Sequence, residues 1–193
     1  NAERKGFTMS ERSVGEVLDR LFLNCTKRIV VATFASNVHR IQQIVNSAIK
    51  YGRKIAVCGR SMINIISTSI ELGYIKCPEN LFIDIDMIGS YTDDQLVIIT
   101  TGSQGEPLAA LSRIANGTDK NITLMPNDTV IFSSSPIPGN SMSINRTINK
   151  LYLKGAKVYT NASDLNVHTS GHAKQEELKL LLRLVRPKYF MPM

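Results

Sequence analysis

Arg28-Ile29-Val30-Val31-Ala32-Thr33-Phe34 is a short apolar run rich in β-branched residues, and it decides the fold class. Apolar side chains at both sets of alternating positions are typical of a strand that is buried on both faces of a sheet. Directly after this run, apolar residues recur at helical spacing at Val38, Ile41, Val45 and Ala48. The sequence therefore predicts a strand, a turn and a helix.

The same unit recurs along the chain. Further strands are predicted at 54–58, 95–101, 128–132, 156–159 and 188–191, and further helices at about 61–72, 108–115, 142–154 and 174–186. Parallel neighbouring strands need a crossover, and the crossover helix buries its apolar stripe on the sheet. The predicted fold class is α/β, with a parallel sheet flanked by helices on both faces.

The first and last helices carry more specific expectations. Thr8-Met9-Ser10-Glu11 has the pattern of a capping box, which predicts that a helix begins there. In the helix at 174–186, four apolar residues at helical spacing are expected to face inward: Leu178, Leu181, Leu182 and Val185.

One segment, 79–91, has no clear pattern. Residues 81–86 alternate like a strand, yet Asp84 and Asp86 are also suited to open a short helix. Both interpretations stay open.

Composition limits the classes of partner. The chain has 193 residues, 43% of them hydrophobic, which is enough for one domain with a substantial core. The formal charge of +7 favours a polyanionic partner, although the basic residues are dispersed. The three cysteines include no close pair and fit a reducing cytoplasm. No signal peptide or membrane span is predicted, and the apolar end at 189–193 indicates a piece of a longer protein.

Four loops that follow predicted strands or precede a helix have the chemistry of phosphate sites. They contain Ser36 and Asn37, 102–107, 133–135 and 168–172. Hydroxyls and glycines let backbone N–H donors approach an oxyanion at the carboxyl ends of strands. Each loop taken alone also fits a helix cap or a turn. Neither a Walker A loop nor a dinucleotide-binding glycine motif occurs.

Two of the three histidines, His168 and His172, stand beside Ser170 and Gly171 just before the last predicted helix. The unpaired N–H groups of a helix N-terminus stabilise an anion, and an imidazole can donate to the same oxygens. Spacing of four residues would suit a metal on a helix, but the Ser-Gly pair argues against a helix there. No complete metal site is predicted within this chain.

Five blocks together resemble the ribonuclease J family of bacteria, in order and over essentially the whole chain. They are residues 1–4, 32–40, 100–107, 133–140 and 168–173. The resemblance implies that residues 1–193 form a β-CASP domain, a Rossmann-like insert within a metallo-β-lactamase domain that lies outside this chain. It also implies a 5′-to-3′ exonuclease and endonuclease of mRNA decay and rRNA processing that uses two divalent metals, zinc or manganese, and prefers 5′-monophosphorylated RNA.

The resemblance assigns roles to single residues. His172 matches the motif histidine that acts beside the metals at the scissile phosphate. The nucleotide phosphate pocket is expected to contain Ser36, Asn37, Ser135, His168, Ser170 and Gly171. The metal ligands are expected in the metallo-β-lactamase domain, so the chain alone should bind no catalytic metal and hydrolyse nothing.

The resemblance also implies partners. These are RNA, the chain's own metallo-β-lactamase domain, and a homodimer or tetramer with a possible paralogous subunit, in the cytoplasm and away from membranes. Two other functions stay open. A regulatory domain that binds a sugar phosphate would use the same serine-rich loops without any catalytic need for His172. A purely structural scaffold would use the histidines only as turn residues.

Overall fold

Six parallel strands and six helices make up a computed structural model that describes residues 1–161 and 165–191. The strands are β1 (Ile29–Ala32), β2 (Lys54–Cys58), β3 (Phe82–Ile83), β4 (Leu96–Thr100), β5 (Thr129–Phe132) and β6 (Lys157–Tyr159). The helices are α1 (Glu11–Asn24), α2 (Val38–Lys50), α3 (Arg60–Glu71), α4 (Ala110–Asn116), α5 (Ser141–Leu153) and α6 (Gln175–Val185).

The sheet has a hydrophobic core on each face. All four residues of β1 are buried, and their side chains alternate between two clusters. Ile29 and Val31 pack with α1, α2 and α3 on one face, whereas Val30 and Ala32 pack with α4 and α5 on the other. Because both faces are covered, a continuous apolar run suits the central strand. The predicted α/β fold with helices on both faces is confirmed.

The strand order β3-β2-β4-β1-β5-β6 places β1 between β4 and β5. Ala32, the last residue of β1, is level with Thr100 of β4 and Phe132 of β5. After β1 the chain builds β2, β3 and β4 on one side of β1, and it then builds β5 and β6 on the other side. The loops that follow β1 and β4 therefore lead away from each other. In such sheets a crevice forms beyond the carboxyl ends of the strands at the divergence.

The ambiguous segment contains both of the elements that the sequence allowed. Phe82 and Ile83 form the short strand β3, and a 3₁₀ helix follows at Ile85–Ser90. The Asp84 side chain accepts a hydrogen bond from the Asp86 N–H at 3.1 Å and caps that helix.

The predicted capping box at the first helix is wrong. Ser10, not Thr8, is the N-cap of α1, and its hydroxyl oxygen accepts from the Arg12 N–H at 3.3 Å. The Thr8 hydroxyl instead lies 2.6 Å from Glu177 Oε2 and 3.1 Å from the carbonyl oxygen of His172. A tertiary contact therefore takes the hydroxyl that the local pattern assigned to a cap.

The burial predicted for the last helix is also wrong. None of the side chains of α6 is buried by the described residues; Leu181 is 57% exposed and Val185 62%. The predicted strand at 188–191 is absent from the described chain, and Tyr189 is 82% exposed. The apolar side chains recur at helical spacing as predicted, but within the described chain they remain partly or largely exposed.

None of the helices in residues 1–161 and 165–191 combines the length and the apolar character needed to cross a membrane.

Candidate functional site

The loop after β1 begins the candidate site. Asn37 is the N-cap of α2, and its side-chain oxygen accepts a hydrogen bond from the Arg40 N–H at 3.0 Å. The cap orients the Asn37 side chain at the carboxyl edge of the sheet. Ser36 lies next to it and is exposed. Both predicted residues therefore lie where the loops gather, and Asn37 also has the structural role that its residue type allowed.

Arg40 is the residue that joins the parts of this site. Its side chain is fully buried, and its Nε donates to Glu11 Oε1 at 2.6 Å. Its Nη1 donates to the carbonyl oxygens of Ser133 at 3.2 Å and Val167 at 2.9 Å. One guanidinium thus holds together α1, α2, the loop after β5 and the segment that precedes α6.

The sequence-based prediction missed Arg40 and Glu11. A signal was present, because Arg40 falls four residues before Ile44 and seven before Ser47, and all three lie on the buried side of α2. A charged residue on the apolar face of a helix usually has a specific partner.

His168 is positioned by the residues around it. The Ser133 hydroxyl donates to the carbonyl oxygen of Val167 at 2.7 Å, which fixes the backbone next to His168. Burial lowers the pKa of His168, and the nearby Arg40 cation lowers it further, while the Glu11 carboxylate and a hydrogen bond with the Ser133 backbone oppose this effect. The imidazole is therefore held in its neutral form, with Nδ1 buried and without a hydrogen-bond partner in the described chain.

The Ser170 hydroxyl acts as a hydrogen-bond acceptor within the described chain. Its oxygen accepts from the Asn1 side chain at 2.5 Å and from the His172 N–H at 3.1 Å. With both lone pairs engaged, its proton has no acceptor among the residues that the structure describes and could be donated to a ligand. A Cβ built at Gly171 would meet nothing within 4 Å, so the space over this turn is open.

His172 has a fixed backbone and an exposed side chain. Its N–H donates to Ser170, and its carbonyl oxygen accepts from the Asn1 side-chain nitrogen at 3.4 Å and lies 3.1 Å from the Thr8 hydroxyl. Nothing in the described chain engages the imidazole itself. The ring is therefore presented to the surroundings from a backbone that is held at both polar groups.

The predicted anion site on the N-terminus of the last helix is wrong. α6 begins three residues after His172, and its first donors are already used. The Lys174 N–H donates to Glu177 Oε2 at 2.7 Å, and the next two N–H groups, at 175 and 176, donate to the carbonyl oxygens of Arg4 and Gly6. The hydrogen bond from the Thr8 hydroxyl, followed by those from the Lys174 and Thr8 N–H groups, lowers the pKa of Glu177. A phosphate near His172 would have to bind to side chains or to N–H groups that precede residue 174.

The loop at 102–107 supports the neighbouring loop. Gln104 is buried; its Nε2 donates to the Ser135 carbonyl oxygen at 3.0 Å and its Oε1 accepts from the Ile137 N–H at 2.8 Å. The Ser135 hydroxyl lies 3.4 Å from the Asn161 side-chain nitrogen. Gln104 therefore fixes the position of Ser135, which lies on the same loop as Ser133.

The residues that the structure describes contain no group of three or more His, Cys, Asp and Glu side chains able to hold a metal ion. Without such a donor set, the two metals implied by the resemblance do not fit within this part of the chain. No step of the chemistry is therefore assigned to a metal bound here.

Comparison with known proteins places the chain in a family. The family model described as "Ribonuclease J, beta-CASP domain" matches residues 26–151, which is more than half of the chain. The chain belongs to the ribonuclease J β-CASP domain family. The match includes β1 to β5 and ends within α5.

Relatives of this β-CASP domain are similar over its whole length. It is 50% identical over 192 residues to "Ribonuclease J" of Synechocystis sp. (strain ATCC 27184 / PCC 6803 / Kazusa). It is 51% identical over 192 residues to "Ribonuclease J 1" of Streptococcus pyogenes serotype M3 and 45% identical over 193 residues to "Ribonuclease J2" of Bacillus subtilis (strain 168). Each comparison covers all of this chain but only 30%, 34% and 34% of the respective relative. The β-CASP domain thus spans about a third of the length of these relatives.

The family resemblance seen in the sequence is confirmed by these matches. The segment with His168, Ser170 and His172 lies beyond the matched range 26–151 but within the region shared with the relatives. Arg40 connects the matched range to this segment, since it lies inside residues 26–151 and donates to the carbonyl oxygen of Val167.

Proposed function

We propose that this chain is the RNA-binding β-CASP part of a longer ribonuclease, and that its site holds the 5′-terminal phosphate of RNA. The phosphate-binding residues are Ser36, Asn37, Ser135, His168, Ser170 and Gly171. The observation that carries the proposal is the Ser170 hydroxyl, whose oxygen accepts from the Asn1 side chain and the His172 N–H and whose proton has no acceptor within the described chain.

Neutral donors surrounding a buried cation suit a phosphate. His168 is held neutral by burial and by Arg40, so it would present a polar, uncharged ring to the phosphate. The Arg40 charge, paired with Glu11 at 2.6 Å, lowers the pKa of His168 more than Glu11 raises it, so a positive charge still acts on this part of the site. A net charge of +7 favours the approach of a polyanion. Only 6% of residues are aromatic, so phosphate contacts rather than base stacking would dominate and sequence preference would be low.

His172 would act as the catalytic residue of this chain. Its exposed imidazole extends from a backbone fixed through Ser170 and Thr8, a geometry suited to donate a hydrogen bond or a proton to a phosphate oxygen. Phosphodiester hydrolysis also needs an activated water, which a pair of divalent metals, zinc or manganese, would supply in the longer protein. Those metals would be bound by a metallo-β-lactamase domain, and the isolated chain would hydrolyse nothing.

The remaining features of the longer protein follow the same proposal. It would act in the cytoplasm as a 5′-to-3′ exonuclease and an endonuclease of mRNA decay and rRNA processing. It would assemble as a homodimer or tetramer, with a paralogous subunit in organisms that carry one.

The test is a titration of the 193-residue chain with a short 5′-monophosphorylated RNA and its 5′-hydroxyl counterpart, in EDTA. We expect the phosphorylated RNA to bind more tightly, and Ser170→Ala to reduce that preference about tenfold, as expected for loss of a hydrogen bond to a charged group. Ser67→Ala, on the exposed side of α3, is the matched control. Equal binding of the two RNAs, or stronger competition by a monosaccharide phosphate than by the 5′-phosphorylated RNA, would overturn the proposal.

A further inference from the structure

The groove between α4 and α5 combines basic side chains with an absence of acidic ones. No Asp or Glu occurs in the sequence between Asp128 and Asp164, a stretch that carries Arg146, Lys150 and Lys154. These three cations are four residues apart, so on a helix they form one row with a rise of about 6 Å between neighbours. Helix α4 is also free of acidic residues. A row of cations without local counter-charges has a positive potential that the dispersed charge elsewhere lacks.

The row faces α4. Lys150 Nζ lies 2.5 Å from Asn116 Oδ1 near the end of α4, which leaves two of its three N–H donors free. A Cβ at Gly117, the residue that ends α4, would lie 3.1 Å from Lys154 Nζ. Neither of these lysines nor Arg146 has a carboxylate partner within 4.0 Å in the described part of the chain.

A small cavity of about 180 Å³ opens at the head of this row. Arg146, Lys150, Asn116 and Ser112 line it, and none of its lining residues is acidic. Ser112 is 5% exposed, and its hydroxyl has no hydrogen-bond partner in the described chain. An unpaired buried hydroxyl costs free energy, so its position beside two cations favours an acceptor such as a phosphate oxygen.

We infer that this groove, formed by Ser112, Asn116, Arg146, Lys150 and Lys154, is a second binding surface for the sugar-phosphate backbone of RNA. It lies on the face of the sheet covered by α4 and α5, away from the site that contains His168 and Ser170. The cavity would hold one phosphate, and the lysines would bind the phosphates that follow. The groove would therefore contribute affinity for longer RNA without reading its 5′ end. The inference rests on RNA as the ligand of this domain but not on 5′-end recognition.

The test compares two triple variants of the chain that lose the same charge. The groove variant is Arg146→Gln, Lys150→Gln and Lys154→Gln; the control is Arg20→Gln, Lys54→Gln and Lys76→Gln, away from α5. Affinities for a 3-nucleotide and a 12-nucleotide RNA are measured in EDTA over a range of salt concentrations.

We expect the groove variant alone to lower the salt slope of log K for the longer RNA by about 2, at roughly 0.7 per phosphate contact. The 3-nucleotide RNA should bind as before, and any preference for a 5′-phosphate should stay unchanged. An equal effect of both triple variants would overturn the inference, as would equal competition by poly-glutamate of matched charge, which would indicate an acidic protein as the partner. If the unmodified chain shows no preference for a 5′-phosphate, that result would contradict the proposed 5′-phosphate site but not the groove.

Discussion

Arg40 Nε lies 2.6 Å from Glu11 Oε1, and the Arg40 side chain has no exposed surface. The pair joins the first helix to the second, and the same guanidinium holds the carbonyl oxygen of Val167 at 2.9 Å. A buried cation is stable only when its hydrogen bonds and counter-charge are supplied together. The fold of α1 and the position of His168 therefore depend on one side chain.

Replacing Arg40 with Met should destabilise the chain by about 3 kcal/mol, because the change removes the counter-charge of Glu11 and one donor from each of two carbonyl oxygens, of Ser133 and Val167. Arg40→Lys keeps the charge but not the fork of donors, so it should recover only part of the loss. Urea denaturation measures both effects. Arg20→Met, at an exposed position of α1, is the control. A loss for Arg40→Met no larger than that of the control would contradict the role assigned to the guanidinium.

The stability of the chain should fall at acidic pH through His168. Its pKa is lowered in the folded state, first by burial and then by Arg40, so protonation favours the unfolded chain. This contribution is fully present above the unfolded pKa of about 6.5 and is lost as the pH falls below it. His168→Asn should therefore flatten the fall of unfolding free energy between about pH 6.5 and 5. His39→Asn, an exposed position on α2, should leave the fall in place, and an equal effect of the two would disprove this origin.

Gly105→Ala should be far more destabilising than Gly139→Ala. Both glycines have positive φ, +72° and +94°, so both variants carry backbone strain of about 1–2 kcal/mol. Only at Gly105 would the new Cβ meet backbone, 2.5 Å from the carbonyl carbon of Ser143 in α5. We expect Gly105→Ala to cost at least about 1 kcal/mol more, by thermal or urea denaturation. Equal losses would show that α5 moves aside without cost.

The central strands could be predicted from the sequence because their residues are buried on both faces. Residues 95–101 were predicted as a strand, and β4 is Leu96–Thr100; residues 54–58 match β2 fully. A continuous β-branched run has few alternative structures in a domain of this size. The helices were predicted equally well where one apolar face meets the sheet, as in α2.

Long-range contacts account for what the sequence did not predict. The Thr8 hydroxyl bonds to Glu177, and the Gln175 N–H bonds to the Arg4 carbonyl oxygen, each across most of the chain. Local patterns predicted that the Thr8 hydroxyl caps the first helix and that the N–H groups at the start of the last helix bind a phosphate. Arg40 was missed for the same reason, since its partners Ser133 and Val167 are distant in sequence. The block at residues 32–40 that resembles the family contains Arg40, but its role as the residue that joins the loops was not predicted.

Helix α6 has eleven residues, and its described attachments are hydrogen bonds at its first turn, to Thr8, Arg4 and Gly6. A helix this short gains little stability without packing. The backbone amide hydrogens of α6 should therefore exchange with solvent through local opening that begins at the Val185 end. Those of β1 should exchange only on global unfolding. Because Thr8 also binds the carbonyl oxygen of His172, each complete opening of α6 releases a neighbour of that histidine. A partner that covers the leucines of α6 would slow this exchange and reduce the motion of His172.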